Sequence, residues 1–218
     1  MKQRAFGQYC GLARALEVVG ERWALLIIRD LLVRPRRYTD LREGLPGIPT
    51  NVLSSRLKEL EHAGVVERRL LKPPERAVVY ALTEHGRELD AAVRGLGQWG
   101  AGRLGDPRPG EVVTAESLVM ALRSTFRPEA AGSVSATWEI HAGDIALHAR
   151  VADGEVHAGV GPSPAKPDLV ISMAPDGPPP LKALMAGELS PGAALADGLV
   201  DVTGRAGLLR TFVEVFRI

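Results

Sequence analysis

Apolar residues recur at three- and four-residue intervals through most of the first hundred positions. Between residues 11 and 32 they form two stripes, which indicates helix. The stripes are Leu12, Leu16, Val19 and Trp23, Leu26, Ile27, Leu31. Gly20 lies between them and predicts two helices rather than one. The segment YTDLREGL predicts a short helix capped near Thr39, with Leu41 and Leu45 directed inward.

Residues 50–63 predict an amphipathic helix. Leu53, Leu57 and Leu60 share one face, and Gly64 is placed to end the helix. The opposite face carries small polar and cationic side chains: Asn51, Ser54, Ser55 and Lys58. The short side chains leave room for close approach by another molecule.

After Gly64 the spacing of apolar residues changes from the helical period to a period of two residues. VVERRLL (65–71) and AVVYALT (77–83) are rich in β-branched residues and predict a hairpin around the cationic turn KPPER. Thr83 is expected to cap one long helix whose stripe is Leu89, Val93, Leu96 and Trp99. This order of elements is that of a winged helix-turn-helix, with a recognition helix at 50–63 and a basic wing at 65–82.

Such a unit suits double-stranded DNA. A recognition helix presents its N-terminal side chains to base edges, and wing cations contact phosphates or the minor groove. The alternative is an amphipathic helix with a merely solvated polar face. The adjacent basic hairpin favours the DNA-binding interpretation.

Three segments resemble the HxlR family of bacterial transcription regulators: YCGLARALEVVGERWALLIIRDLL, RRYTDLREGLPGIPTNVLSSRLKELEHAGVVERR and VVYALTEHGRELDAAV. The resemblance covers about residues 6–102. It implies a homodimer formed by the first and last helices of this domain, and an operator with two half-sites. Pro49 stands where the family usually has Ser, so base preference is not transferred from relatives.

The resemblance and the cationic wing together give a set of expected DNA contacts. The set is Arg36, Arg37, Thr50, Asn51, Ser54, Ser55, Arg56, Lys58, Arg68, Arg69, Lys72 and Arg76. Cys10 also matches a family position at which some members respond to oxidants or electrophiles. Its neighbours Tyr9 and Gly11 supply no cation, which favours a small buried hydrophobe at the dimer helix over a redox sensor.

The pattern after residue 114 differs. AESLVMALRSTF (115–126) predicts a helix, and three segments that follow alternate apolar and polar residues. Two-residue turns at 142–143 and 153–154 would place Trp138 opposite Leu147, and Leu147 opposite Val160. A fourth strand is expected at 168–173 and a fifth at 199–204, with helices between and after them. PDGPPPL (175–181) is expected to form a turn.

This half is therefore predicted to be α+β, an antiparallel sheet with helices on its apolar face. DLVISM and LKALMAGELSPGAALADGLVDVTG resemble the sterol-carrier-protein type of lipid-binding domain. That resemblance implies an apolar cavity for a small molecule. The expected lining is Trp138, Leu147, Met173, Leu184, Met185, Leu195 and Phe212. Each of them is as readily explained as plain core.

Charge separates the two halves. Residues 1–105 carry 18 Lys and Arg against 12 Asp and Glu, a net +6, whereas residues 106–218 carry 9 against 14, a net −5. Only the first half is therefore suited to a polyanion. The predicted domains are 1–105 for DNA binding and dimerisation, 106–114 as a linker, and 115–218 for the α+β domain.

Other chemistry is weakly represented. His141, His148 and His157 fall on the polar sheet face without acidic or thiol ligands at suitable spacing, so no metal site is expected. The sequence contains no GxSxG, phosphate loop or HExxH motif, and we expect neither a cofactor nor an enzyme. The single cysteine and the lack of a long apolar run favour a cytoplasmic protein without a membrane partner.

The leading hypothesis is a ligand-responsive transcription regulator whose C-terminal domain binds an apolar effector. Two alternatives stay open. The C-terminal cavity could be the main active element of a carrier or enzyme, or this domain could serve only dimerisation. The sequence does not distinguish a repressor from an activator.

Overall fold

The computed structural model describes residues 5–72, 74–173 and 180–218. The chain divides into two compact units, Met1–Val93 and Arg94–Ile218. The first unit contains helices α1 (Gly11–Val19), α2 (Ala24–Val33), α3 (Tyr38–Gly44), α4 (Thr50–His62) and α5 (Glu84–Arg87), and strands β1 (Val66–Leu70) and β2 (Val78–Leu82). Helix α6 (Asp90–Ala101) begins in this unit and ends in the second.

The helical stripes of the first unit form its core only in part, since Ile27 and Leu31 are buried whereas Leu12, Leu16 and Leu26 are exposed. Leu41, Leu53 and Leu57 are fully buried, and the break at Gly20 separates α1 from α2. The N-cap of α3 is Arg37, two positions before the predicted Thr39. This helix begins at Tyr38, and the carboxylate of Asp40 accepts the backbone N–H of Arg37 at 3.0 Å. A carboxylate therefore occupies the capping role assigned to the Thr39 hydroxyl.

Helix α4 ends as predicted. Gly64 follows its C-cap with φ +71°, and the N–H of Val65 donates to the carbonyl of Leu60 at 2.9 Å. This left-handed residue turns the chain directly into β1.

The wing hairpin is also present. β1 and β2 pair antiparallel, with Arg68 opposite Tyr80 and Arg69 opposite Val79. The segment before α3 adds a third backbone partner, because Arg36 and Tyr80 exchange N–H to carbonyl hydrogen bonds of 3.0 and 2.7 Å.

One long helix after Thr83 was predicted, and the structure corrects this. The Thr83 hydroxyl does cap the N–H of Gly86 at 3.0 Å, but α5 ends at Arg87 and α6 begins only at Asp90. A Cβ at Gly86 would lie 2.1 Å from the carbonyl oxygen of Val65. The short helix α5 is thus held against the start of the wing, where the predicted long helix is interrupted.

The second unit contains helices α7 (Ala115–Thr125), α8 (Pro128–Ala131), α9 (Leu181–Ala186), α10 (Pro191–Ala196) and α11 (Leu208–Val215), and strands β3 (Ala136–Ala142), β4 (Ile145–Ala152), β5 (Glu155–Val160), β6 (Leu169–Met173) and β7 (Val200–Gly204). The strands form one mixed sheet in the order β5-β4-β3-β6-β7. The predicted purely antiparallel sheet is wrong at one pair, because β3 and β6 are parallel, while the other neighbours are antiparallel. The predicted turn at 175–181 lies almost entirely outside the described residues.

One predicted strand register is wrong by two residues. Trp138 pairs with Ala149 rather than Leu147, because the turn is Gly143-Asp144 and not Ala142-Gly143. The β4–β5 register is confirmed, with Leu147 opposite Val160. An even shift keeps every side chain on its predicted face, so the apolar face is intact.

The core of the second unit lies where this apolar face meets the helices. Trp138 is fully buried, and its ring centroid lies 6.0 Å from those of both Phe212 and Phe216. Residues 106–114 contain neither helix nor strand. The bounds of the two predicted domains and of the linker between them stay a prediction.

Candidate nucleic-acid interface

The N-terminal edge of α4 is polar and open. Thr50, Asn51 and Lys58 are exposed, while the leucines of the same helix are buried. Ser54 is half-buried, because its hydroxyl lies 3.1 Å from the Tyr38 hydroxyl. This edge can approach a groove without first unpacking the domain.

Tyr38 is a residue of the site that the sequence interpretation missed. Its hydroxyl donates to the carbonyl of Thr50 at 2.9 Å and contacts Ser54 as well. It therefore fixes the start of α4 against α3. The only signal for it is its position directly after Arg36 and Arg37, and that position does not reveal the contact.

Two other predicted contacts on α4 are engaged within the domain. The Ser55 hydroxyl donates to Glu59 at 3.0 Å. Arg56 pairs with Glu59 and also reaches Glu21 at 3.3 Å. Both side chains are half-buried, so DNA would have to compete with carboxylates of the same unit for them.

The wing cations fall into two classes. Arg68 pairs with Glu61 at 3.1 Å, and the Arg69 Nε donates to Glu67 at 2.6 Å. Since neighbouring residues of a strand point to opposite faces, these two arginines lie on opposite sides of the hairpin. Lys72 and Arg76 are exposed, and neither forms an ion pair with any residue that the structure describes.

The two arginines before α3 also differ. Arg37 is exposed, as a phosphate contact requires. Arg36 is buried, and its Nη2 donates to the carbonyl of Asp40 at 2.8 Å. This placement departs from the expected phosphate contact, because the backbone pairing of Arg36 with Tyr80 turns its side chain into the domain.

Cys10 is exposed in the single chain, and its burial at a dimer helix stays a prediction. It lies at the N-cap position of α1. Hydrogen bonding by the backbone N–H groups of Ala13 and Leu12 lowers the pKa of the thiol. No cation is needed for this effect, since a helix N-terminus itself favours an anion.

The residues predicted to line an apolar cavity lie in the core of the second unit, except one. Trp138, Leu147, Met173, Leu184, Met185 and Phe212 are buried, whereas Leu195 is 40% exposed. A shallow open pocket of about 480 Å³ lies elsewhere, between the Phe126–Glu129 corner and Arg217. None of the predicted lining residues borders it.

The outer face of the second sheet carries the histidines. His141 Nε2 donates to Glu139 at 2.8 Å, and His148 Nδ1 donates to the carbonyl of Gly161 at 3.0 Å. Within residues 5–72, 74–173 and 180–218, no three His, Cys, Asp or Glu side chains are grouped to hold a metal ion. No helix in these ranges is long and apolar enough to cross a bilayer.

Comparisons with known proteins show sequence similarity over the N-terminal part of the chain. The model of the HxlR-like helix-turn-helix family matches residues 18–106. The HTH-type transcriptional regulator Rv3095 of Mycobacterium tuberculosis is 46% identical over 98 residues, which are 45% of this chain and 60% of that protein. This chain thus spans about three fifths of that relative's length.

A second relative is covered more completely. The HTH-type transcriptional regulator YodB of Bacillus subtilis is 39% identical over 85 residues, which are 39% of this chain and 76% of that protein. The reduced form of YodB matches at 35% identity with a TM-score of 0.40, over 45% of this chain and 100% of that one. YodB has also been solved in a quinone-bound form. The chain belongs to the HxlR family of helix-turn-helix transcriptional regulators.

Proposed function

We propose that this regulator binds operator DNA as a homodimer, with α4 in the major groove and the β1–β2 wing on the flanking backbone. The observation that carries the proposal is that the Thr50–Asn51 edge is exposed in the same compact unit as Lys72 and Arg76, two exposed wing cations without an ion pair to any described residue. Short polar side chains at a helix start suit base edges and phosphates, and unpaired cations suit phosphates alone. Arg37, Lys58 and Arg69 complete the proposed phosphate contacts.

The salt dependence of binding tests this proposal. The double variant Lys72→Ala/Arg76→Ala is titrated against a duplex of about 30 base pairs, selected from a random pool by the wild-type chain. Loss of two phosphate contacts is expected to weaken binding and to reduce the slope of log K against log salt by about 2.

Lys166→Ala/Arg150→Ala is the matched control, because it removes the same charge from exposed positions of the second unit. It is expected to leave the slope unchanged. Equal slopes for the wing variant and the wild-type chain would show that the wing does not contact DNA.

Dimerisation would cover two exposed apolar faces. Leu12 of α1 is 68% exposed, and Leu96 and Trp99 of α6 are 52% and 64% exposed. Faces of this kind mark association surfaces when they are contiguous. Leu12→Asp is expected to shift sedimentation from dimer to monomer, and a wild-type chain that sediments as a monomer would exclude the dimer.

We propose that the second unit resembles a sterol-carrier-type domain and binds an apolar effector. Its sheet with helices packed on one apolar face is the supporting observation. Thermal unfolding with a panel of lipids and aromatic metabolites tests it, since a ligand of the folded state raises the midpoint. A stabilising ligand that does not affect DNA binding would favour a carrier, and no stabilising ligand would favour a dimerisation role.

Cys10 supports redox or electrophile sensing as a second function. The exposed thiol lies at a helix N-terminus that lowers its pKa, so the reactive thiolate forms at lower pH than usual. In the proposed reaction the thiolate adds to an electrophilic carbon of a quinone, forming a carbon–sulfur bond, and the quinone oxygen takes up a proton. The chain has one cysteine, so any disulfide must join two molecules.

Alkylation rates test this second function. The iodoacetamide reaction of the wild-type chain is expected to reach half its maximal rate below pH 9.0, the ordinary pKa of the thiol. Quinone treatment should change the DNA affinity of the wild-type chain but not of Cys10→Ser. An equal response of both proteins would exclude Cys10 as the sensor.

A further inference from the structure

Arg68 occupies the junction between the recognition helix and the wing. Its Nη2 lies 3.1 Å from Glu61 Oε2, on the last turn of α4. Its guanidinium carbon lies 5.6 Å from the centroid of the Tyr80 ring on β2. At this distance the cation is attracted to the ring face. Arg68 therefore contacts α4 through its ion pair with Glu61, and β2 through the ring of Tyr80.

Tyr80 is the residue at which three backbone segments meet. It lies opposite Arg68 in the β1–β2 pairing and exchanges two hydrogen bonds with Arg36 ahead of α3. The link from α4 to β1 is only a short turn through Gly64 and Val65. The ion pair between Glu61 and Arg68 links the two sides of this turn, and so restricts the angle between α4 and the wing.

We propose that Arg68 is a positioning residue that fixes the wing relative to the recognition helix, and that it does not contact phosphate. This inference rests on the proposed DNA-binding function. It separates Arg68 from the other wing cations. Arg69 pairs with Glu67 on its own strand and on the opposite face of the hairpin, so that pair links nothing to α4.

The variant Glu61→Gln gives opposite results for the two roles of Arg68. If Arg68 positions the wing, loss of the ion pair loosens the hairpin and weakens binding to the selected duplex by about two- to fivefold. The slope of log K against log salt stays unchanged, because no phosphate contact is lost. If Arg68 instead contacts phosphate, Glu61→Gln removes a competing carboxylate and binding becomes tighter.

Glu67→Gln is the matched control. It removes the same charge from the other face of the wing, and it should leave the wing angle unchanged. Since it frees Arg69 for phosphate, its affinity is expected to equal or exceed that of the wild-type chain. Equal weakening by both glutamine variants would overturn the proposal, because the loss would then not depend on the link to α4.

A charge exchange gives a second, independent test. Arg68→Glu should weaken binding, and Glu61→Arg/Arg68→Glu should restore most of the affinity by reversing the ion pair. A phosphate contact would not be restored by this exchange. Circular dichroism and the thermal midpoint of each variant establish that the chain is folded before its affinity is compared.

The outcomes distinguish this inference from the function on which it rests. A wild-type chain without salt-dependent affinity for DNA would refute both. Normal wild-type binding combined with tighter binding by Glu61→Gln, or with no restoration in the exchanged pair, would refute only the positioning role of Arg68.

Discussion

Trp138 can be interpreted either as the lining of a ligand cavity or as a plain core residue. It was predicted to line a ligand cavity, and it lies at the centre of the packed second unit. Its Nε1 donates to the carbonyl of Leu208 at 3.1 Å, which ties β3 to the first turn of α11. A buried indole with its N–H paired and aromatic rings on its edges is sufficient as core. Any effector would have to enter beside it.

Replacement of Trp138 by Phe measures this core role. We expect the free energy of unfolding of the second unit to fall by about 1–3 kcal/mol, because ring volume and a hydrogen bond are lost. Urea unfolding followed by circular dichroism measures the change. Leu195→Ala, at a half-exposed position of the predicted lining, should cost less than about 1 kcal/mol. A larger loss at Leu195 would contradict the structural assignment.

Whether an individual arginine is buried or exposed was the feature hardest to predict from the sequence. Arg36 and Arg37 are adjacent and chemically identical, yet one is buried and the other exposed. The difference arises from the pairing of Arg36 with Tyr80, which lies 44 positions later in the chain. Hydrophobic spacing identifies the buried leucines, because their burial follows from helix periodicity alone. It contains no information on such long-range pairing.

At the scale of elements, the hairpin turns of the second sheet show that the sequence pattern does not fix the register between strands. Alternation predicts which face each residue joins, but two turn positions are compatible with it. Gly143 has φ +57° and takes the first turn position, which a type II′ turn reserves for glycine. The other turn has positive φ at both Asp153 and Gly154, typical of type I′, and there the predicted register is confirmed.

Gly64 provides a prediction for the junction of α4 and the wing. Its φ of +71° disfavours a side chain, although nothing would contact a Cβ there. We expect Gly64→Ala to lower the free energy of unfolding by about 1 kcal/mol through backbone strain alone. Gly207→Ala is the control, with φ −57° and equally open space, and should be neutral or stabilising. The two values come from urea unfolding, and equal effects would contradict this account.

Glu139 holds the connection between β5 and β6. Its carboxylate accepts the backbone N–H of Ser163 and His141 Nε2, both at 2.8 Å. These hydrogen bonds, the Ser163 bond foremost, lower the pKa of Glu139. Because the pKa of Glu139 is lower in the folded state, the stabilisation by these hydrogen bonds is complete above the unfolded-state pKa of about 4.5. It is lost as the pH falls through the folded-state value.

The corresponding measurement compares the wild-type chain with Glu139→Gln across pH. The wild-type chain should be the more stable at pH 6, and the difference in unfolding free energy should shrink steadily below pH 4.5, the ordinary value of the group. A difference that is independent of pH would mean that the charge of Glu139 does not hold this connection.

At the scale of the whole molecule, the two units differ in how much the sequence reveals. The first contains family motifs, and each of its predicted helices and strands is present apart from the interruption between α5 and α6. The family match ends at residue 106, so the fold of residues 107–218 is interpreted from their own pattern. Alternating strands predict a sheet reliably, because one face must be buried. They do not predict whether the core also admits a ligand.

If the second unit is the sensor, effector and DNA must influence each other equally. A ligand that changes operator affinity by a given factor must have its own affinity changed by operator DNA by that same factor, typically about 5- to 150-fold. We therefore expect the dissociation constant of a stabilising apolar ligand to differ by that factor between the free chain and the chain saturated with the selected duplex. Calorimetric titration in both states, at one salt concentration, measures it. Identical ligand affinities would show that the second unit binds without regulating, since a ligand that does not distinguish two states cannot shift their populations.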